Sequence, residues 1–507
     1  MAHCRTHSIS LNDDRKVDVL CSPSDMETLS ATDQDSASRV RAIVRKVDWR
    51  MLPLLGFLSA FSLIDRSNLG LARTAGMDHA LNTNVGSRFS IVSCIYFVPY
   101  IILQLPSNLS LRRLGVVNWL AFLVVAWGAV QLSMGFVPSW GYLALTRALL
   151  GAFEAGFFPA LVYIITTWYT RHEVQTRLAA FYTVGLFVGG FSSIFAYVLT
   201  LLNGTYGIAG WAWIFIVEGA ITIGLGVIAW FFLPGFPDQN TFLTQKETLI
   251  ILERVERDRG DSVPDALTKE KLFTHLLDWR LWAMGLMYMC ATLPAYAISF
   301  FVTTILRGMG WSIAASLLLA APPYVFASLT AMVFAWISDK YRHRAATIAV
   351  QAIMTTAGLS MTGFSRTPGV RYAGIYLATA GSGGCIPGIL AYSANNIVSQ
   401  TKRAVATAIT VAFGGIGGIF ASLVFRQQDA PNYMPGIYAT ITCQGLMLLL
   451  LTITTVFYRS QNRKLETGKA SLANEGREGF RLCVQALVIE EVAPDLSGAT
   501  PPALALS

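Results

Sequence analysis

Stretches of mostly apolar residues, each long enough to cross a hydrocarbon core as a helix, follow one another along this chain with short polar loops between them. The pattern predicts twelve membrane spans: 51–72, 89–109, 116–135, 142–167, 178–201, 212–234, 281–305, 314–337, 346–364, 372–394, 404–425 and 437–458. The runs are continuous, whereas spanning β-strands alternate over about ten residues, so helices are expected. A longer polar connector separates the sixth span from the seventh. The predicted fold is an all-α membrane protein with twelve transmembrane helices in two six-helix bundles. Its parts are a polar, disordered tail at 1–45, an N-terminal bundle at 46–234, the connector at 235–279, a C-terminal bundle at 280–458 and a tail at 459–507. Thr244-Gln-Lys-Glu247 has the spacing of a capping box and predicts a connector helix whose charged run, 246–259, is a solvated face.

Composition agrees with the periodicity. Of 507 residues, 54% are hydrophobic and only 13% charged, against roughly 25% charged in soluble domains. The net charge of +8 is a topology signal and not a nucleic-acid footprint. Arg39, Arg41, Arg45, Lys46 and Arg50 precede the first span, and Arg112, Arg113, Arg171, Arg177, Lys340, Arg342, Arg344, Lys402, Arg403, Arg459, Arg463 and Lys464 fall in loops and ends on that same side. The other side holds Arg73, Arg88, Arg307, Arg366, Arg371 and Arg426. By the positive-inside rule both termini are cytoplasmic. The first span is expected to direct insertion itself, without a cleaved leader. The seven cysteines are scattered, with neither disulfide nor zinc spacing.

The two halves carry matching basic loops: Arg112-Arg113 and Lys340-Tyr-Arg342, then Arg171/Arg177 and Lys402-Arg403. Such repetition implies two bundles around a central cavity, the layout of alternating access. The segment Ala335-Trp-Ile-Ser-Asp339-Lys340-Tyr-Arg342-His-Arg344 resembles the loop signature of the major facilitator superfamily, with Ala and Arg in place of its two glycines. The first-half copy, 108–117, has Arg112 where the signature has Asp. The resemblance implies that Asp339, Lys340 and Arg344 form a conformational loop motif. LPLLGFLSAFSLIDRSNLGLA (52–72), LPSNLSLRRLG (105–115), RALLGAFEAGFFPALVYIITTWYTRHEVQTRLAAFY (147–182), GWAWIFIVEGAITI (210–223) and FFLPGFPDQNTFLTQKE (231–247) resemble the fungal anion:cation symporter family, of the allantoate and nicotinate permease type. That resemblance implies a proton-coupled importer of a small organic anion, such as a carboxylate vitamin or nitrogen compound, working as a monomer in the plasma membrane. The alternative is a proton-antiport exporter of a metabolite or drug. Gly185-Leu-Phe-Val-Gly189-Gly190 has the glycines of the antiporter motif in span five without its proline, which weighs against export.

Polar residues inside the spans are the candidate chemistry, because charge in hydrocarbon is costly and faces a cavity or a partner. In span one, Asp65 and Asn68 share a helical face, and Arg66 points about 100° away. Arg66 is a fork for a substrate carboxylate or a structural clamp. In span four, Arg147, Gly151, Glu154 and Phe158 recur on one face, with Arg147 and Glu154 about 10 Å apart along the axis. Glu154 is the candidate proton carrier; the plainer reading is a static pair with Arg147. Asp65 awaits a basic group on a neighbouring helix, and Glu218 in span six is a proton site or the partner of an arginine elsewhere. Tyr288, Thr292, Pro294 and Tyr296 make span seven polar and interrupted, as in helices lining transport cavities. Asn395 and Asn396 cap span ten or line the inner vestibule. With no P-loop, nucleotide signature or nucleophile cluster, an enzyme or an ATP-driven pump is disfavoured. The only expected cofactor is H+ as the coupling ion, and no metal site is expected.

Overall fold

The computed structural model describes residues 23–237, 240, 242–259, 269–341, 343–397, 400–429 and 433–466. Of the two tails, 1–22 and 467–507 lie outside the described residues, as do Arg342 and the side chains of Asp339, Arg112, Arg113, Arg171 and Arg403, whereas 23–45, expected to be disordered, is helical as the start of the first helix. The described residues are helical nearly throughout. The helices are α1 (Pro23–Ala72), α2 (Arg88–Ile95), α3 (Phe97–Leu114), α4 (Val116–Ser133), α5 (Trp140–Glu154), α6 (Phe157–Trp168), α7 (Arg171–Thr200) and α8 (Gly210–Phe232) in the first half. The connector contributes α9 (Gln245–Arg259) and α10 (Lys269–Leu276). The second half holds α11 (Trp279–Gly308), α12 (Ile313–Tyr341), α13 (Arg344–Phe364), α14 (Pro368–Asn395), α15 (Gln400–Val424) and α16 (Met434–Glu466). Eleven stretches are long and apolar enough to cross a membrane, and Arg88–Gln104 is a shorter apolar one. With it the twelve expected crossings are in place.

Two of the irregular turns fall just before prolines, while other helices continue through theirs. In span four α5 ends at Glu154 and α6 begins at Phe157, but Ala155 and Gly156 between them keep right-handed helical dihedrals (φ −54°, ψ −35° and φ −86°, ψ −11°), so the hydrogen-bond ladder loosens there while the helical path continues. Pro159 has no N–H to offer the carbonyl four residues back, Ala155, where the ladder loosens. In span two the ladder is irregular at Tyr96, whose dihedrals stay helical (φ −58°, ψ −44°), and Pro99 stands in the same relation to Ile95. Span seven was expected to be interrupted at Pro294, yet α11 runs through it. The carbonyl that Pro294 leaves free belongs to Cys290, and Gln444 Nε2 of α16 donates to it at 2.6 Å. In α12, Pro323 frees the Leu319 carbonyl, and Tyr372 Oη donates to it at 2.9 Å. Donors from neighbouring helices are one way a membrane helix tolerates a proline in its interior.

Within the first half, α1 packs on α7 and α8, α4 on α5 and α8, and α3 on α5. In the second, α11 packs on α14, α15 and α16, α13 on α14 and α16, and α12 on α14. Small residues bring the backbones together: a Cβ on Gly358 would lie 2.5 Å from the Gly374 carbonyl oxygen. The halves meet through α7 on α12, α1 on α11, and α2 and α3 on α15. The halves approach closely where α1 ends. A Cβ on Gly70 would stand 2.6 Å from the Phe300 carbonyl oxygen, and the hydroxyls of Thr74 and Thr303 are 2.7 Å apart.

The connector helix is not a freely solvated face. Ile251 and Val255 of α9 are buried, and ion pairs tie the helix to the first half: Lys46 to Glu247 at 2.5 Å and Arg254 to Glu173 at 2.7 Å. Burial alone would raise the Glu173 carboxyl, but its hydrogen bonds from Arg254 hold it below its ordinary range. Both reciprocal bonds of the expected capping box are present between Thr244 and Glu247. In the second half Asp278 takes Arg280 at 2.6 Å and Lys402 at 2.8 Å, joining the starts of α11 and α15. In the loop motif, Asp339 and Lys340 lie near the end of α12 and Arg344 opens α13. Lys340 Nζ sits 4.7 Å from the Trp336 ring centre. Asn396 donates to the Tyr392 carbonyl at 2.8 Å, a capping contact at the end of α14.

Candidate functional site

Successive residues on a helix diverge by about 100°, and α1 uses this to split Asp65 and Asn68 from Arg66. Arg66 turns toward the junction of the halves. Its Nη2 and Nε lie 2.6 and 2.7 Å from Glu154 Oε1. Nη1 donates to Tyr296 Oη at 3.2 Å and Nη2 to Tyr100 Oη at 3.4 Å. The guanidinium also stands 5.0 Å from the Tyr100 ring centre and 5.7 Å from that of Tyr96. Tyr296 belongs to α11, so the site draws on both halves.

Glu154 has no side-chain exposure, whereas Arg66 keeps 13%. Arg66 is therefore the member of the pair that faces open space. The remaining donors to Glu154 are Ser62 Oγ at 2.5 Å and Tyr96 Oη at 2.6 Å. Four donor atoms thus converge on one carboxylate in the protein interior.

Arg147 is not the partner of Glu154, although the two share a face of α5. Its Nη1 and Nη2 donate instead to the backbone carbonyls of Asp65 and Arg66, at 3.2 and 3.4 Å. The space between Arg147 and Glu154 is taken by Tyr96: a side chain on Gly151 would run into the Tyr96 carbonyl, and the Tyr96 ring lies 5.5 Å from the Arg147 guanidinium. Arg147 therefore clamps α1 just where Arg66 projects.

Asp65, Asn68 and Glu218 form a separate group in the wall between α1, α4 and α8, all fully buried. Trp127 Nε1 and Thr222 Oγ1 donate to Asp65 Oδ2 at 3.1 and 3.2 Å. Asn68 Nδ2 donates to Glu218 Oε2 at 2.8 Å. The hydrogen bonds to these two carboxyls come from neutral donors, and not from the basic group expected for Asp65 or the arginine that was one of the two readings of Glu218. Tyr288 lies about two turns before Tyr296 on α11, with its ring against Gly414. Among the described residues no group of three or more His, Cys, Asp or Glu could hold a metal.

Ser62, Tyr96 and Tyr100 were missed in the sequence. Ser62 lies four residues before Arg66 and on its face, and Tyr96 and Tyr100 have the same spacing in span two. That spacing was visible; that both faces look at Glu154 was not.

The model of the Major Facilitator Superfamily matches residues 55–422. The chain is 31% identical to the Major facilitator-type transporter hxnP of Emericella nidulans, over 87% of this chain and 90% of that protein. It is 24% identical to the High-affinity nicotinic acid transporter of Saccharomyces cerevisiae, over 84% of this chain and 79% of that one. Among solved structures, the partially occluded inward-open xylose transporter XylE of E. coli superposes with TM-score 0.61 at 13% identity, covering 79% of this chain and 96% of that one. A match running from the first span nearly to the end of the eleventh is a property of the whole helical body, and on it the chain belongs to the Major Facilitator Superfamily, a multi-pass membrane transporter and not an enzyme.

Proposed function

We propose that the protein is a proton-coupled symporter that imports a small organic anion. The observation that carries this reading is the Arg66–Glu154 pair: a partly exposed guanidinium held by a buried carboxylate and touched from the other half by Tyr296. An incoming carboxylate competes with Glu154 for the Arg66 fork. Once displaced, a charged Glu154 would be left unpaired in the interior, at a cost of several kcal/mol. Taking up a proton removes that cost. One anion on Arg66 and one proton on Glu154 leave the site's net charge unchanged, so the loaded carrier crosses no larger electrostatic barrier than the empty one. The similarity to a nicotinic acid transporter supports a carboxylate as the ligand class.

In this reading Arg147 holds the α1 backbone under Arg66, while Asp65, Asn68 and Glu218 fix the wall behind it. Tyr288 and Tyr296 report occupancy to the second half, and Asp339, Lys340 and Arg344 adjust at the inner face as the halves rock. Both termini are cytoplasmic, the seal at Gly70 and Thr74 is the outer gate, and the carrier works as a monomer in the plasma membrane. The test is uptake of radiolabelled nicotinate and a panel of small carboxylates by intact cells at external pH 5 and 7.5, with and without a protonophore. Accumulation that rises at pH 5 and collapses with the protonophore is expected. Efflux that lowers cell content, or uptake indifferent to both treatments, refutes symport. Tags at either terminus reachable from outside refute the orientation.

A further inference from the structure

We propose that Arg73, at the outer end of α1, is an anion-capture site that the second half covers in the state seen here; this rests on the importer reading and its orientation. Arg73 is 2% exposed, and neither Nη1 nor Nη2 has a hydrogen-bond partner among the described protein groups. Its neighbours are aromatic: the Phe89 ring centre is 4.0 Å from the guanidinium carbon, and that of Phe301 is 5.7 Å away. Tyr433 of the second half stands close enough to the guanidinium to make a loose hydrogen bond to it, outside strict hydrogen-bond geometry, and Asp78 lies nearby.

A buried cation with unsatisfied donors is unusual, and π faces replace only part of what water supplies. The cover is built from the parts that must separate. Phe89 is on α2 in the first half, whereas Phe301 is on α11 and Tyr433 adjoins α16 in the second. Arg73 also begins a widened π-type turn, Arg73–Met77, in which Gly76 takes φ 108°, a conformation suited to glycine. When the outer gate opens, Phe301 and Tyr433 move off with the second half. The guanidinium then faces the vestibule, released from Tyr433, with Nη1 and Nη2 free to take an anion. Arg66 lies seven residues inward on the same helix, two turns away and on nearly the same face. A carboxylate arriving from outside meets Arg73 first and Arg66 next.

The test needs no known substrate. In the full-length protein, with the half-buried Cys94 and Cys443 changed to Ser, Thr303→Cys or Thr74→Cys places a thiol beside the gate. Membrane-impermeant thiosulfonates of opposite charge, the sulfonatoethyl anion and the trimethylammonioethyl cation, are applied to intact cells. Both reagents wait for the same gate opening, so the ratio of their rates reports the local potential alone. The anion is expected to react faster, with the ratio falling about tenfold in Arg73→Gln and recovering in Arg73→Lys. A ratio unchanged by Arg73→Gln at both thiol positions overturns the site and leaves the importer reading standing, because that reading rests on uptake and Arg66. No labelling at either position by either reagent also overturns it, since a gate that never opens outward captures nothing.

Discussion

Glu154→Gln separates the two duties assigned to this carboxyl. The substitution keeps the shape and one acceptor oxygen. It removes the charge that Arg66 Nη2 and Nε meet at 2.6 and 2.7 Å, and replaces an acceptor of Ser62 or Tyr96 with an NH2 group. Removing one partner of a buried pair costs about 3–5 kcal/mol, because the other charge is left uncompensated. Arg66 retains 13% exposure, so water recovers part of that, and ~1.5–3 kcal/mol is the usable figure. A substrate carboxylate that re-pairs Arg66 regains this energy and no longer competes with Glu154. Binding should therefore tighten by about 10- to 100-fold at the conversion of 1.4 kcal/mol per decade, and should lose its dependence on pH. Transport against a gradient should disappear, since no group remains to carry the proton, while exchange of bound anion across the membrane should persist. The assays are equilibrium binding to purified protein at pH 5 and 7.5, net uptake, and counterflow in proteoliposomes. A Glu154→Gln protein that still accumulates substrate with the wild-type pH response would refute the assignment of the proton to Glu154. Unaltered affinity would refute the competition for Arg66.

Arg66→Lys keeps the charge and loses the two-pronged contact; KM for the transported anion should rise about tenfold or more, and Arg66→Ala should abolish uptake at normal surface expression. If Arg66→Ala transports with wild-type kinetics, the guanidinium is a clamp only. Gln444→Leu removes the donor to the Cys290 carbonyl that Pro294 leaves free; a loss of about 1–3 kcal/mol is expected, read as a lower unfolding midpoint in detergent, and an unshifted midpoint would mean that α11 tolerates the proline unaided. Burial pushes the Asp278 carboxyl up, but Arg280 and Lys402 bring it down from 3.8 to about 2. A depressed carboxyl stabilises the fold above its unfolded value and loses that contribution as pH falls toward the folded one. Wild-type stability should thus drop between about pH 4 and pH 2, and Asp278→Asn should flatten that step; an equal drop in the variant places its origin elsewhere.

The apolar runs by themselves determined the number of crossings, because a helix in lipid must be long enough and must bond its own backbone. The face of each polar residue was also legible: the 100° step that sends Asp65 and Asn68 one way and Arg66 another is a property of the chain alone. The irregularity after Glu154 was written in Pro159, in the carbonyl it leaves unbonded. What the sequence did not contain was partnership. Glu154 is 88 residues from Arg66, and Asn68 is 150 from Glu218. Periodicity says where a side chain points but not which helix stands opposite. Arg147 shares the face of Glu154, yet Tyr96 enters between them through the gap at Gly151, and the pair forms with α1 instead. Pro294 makes the same point: the carbonyl it frees was legible, but that Gln444 of α16 donates to it was decided by packing. Local sterics and burial wrote the spans and their faces; only the packing of helices far apart in sequence decided which charges meet.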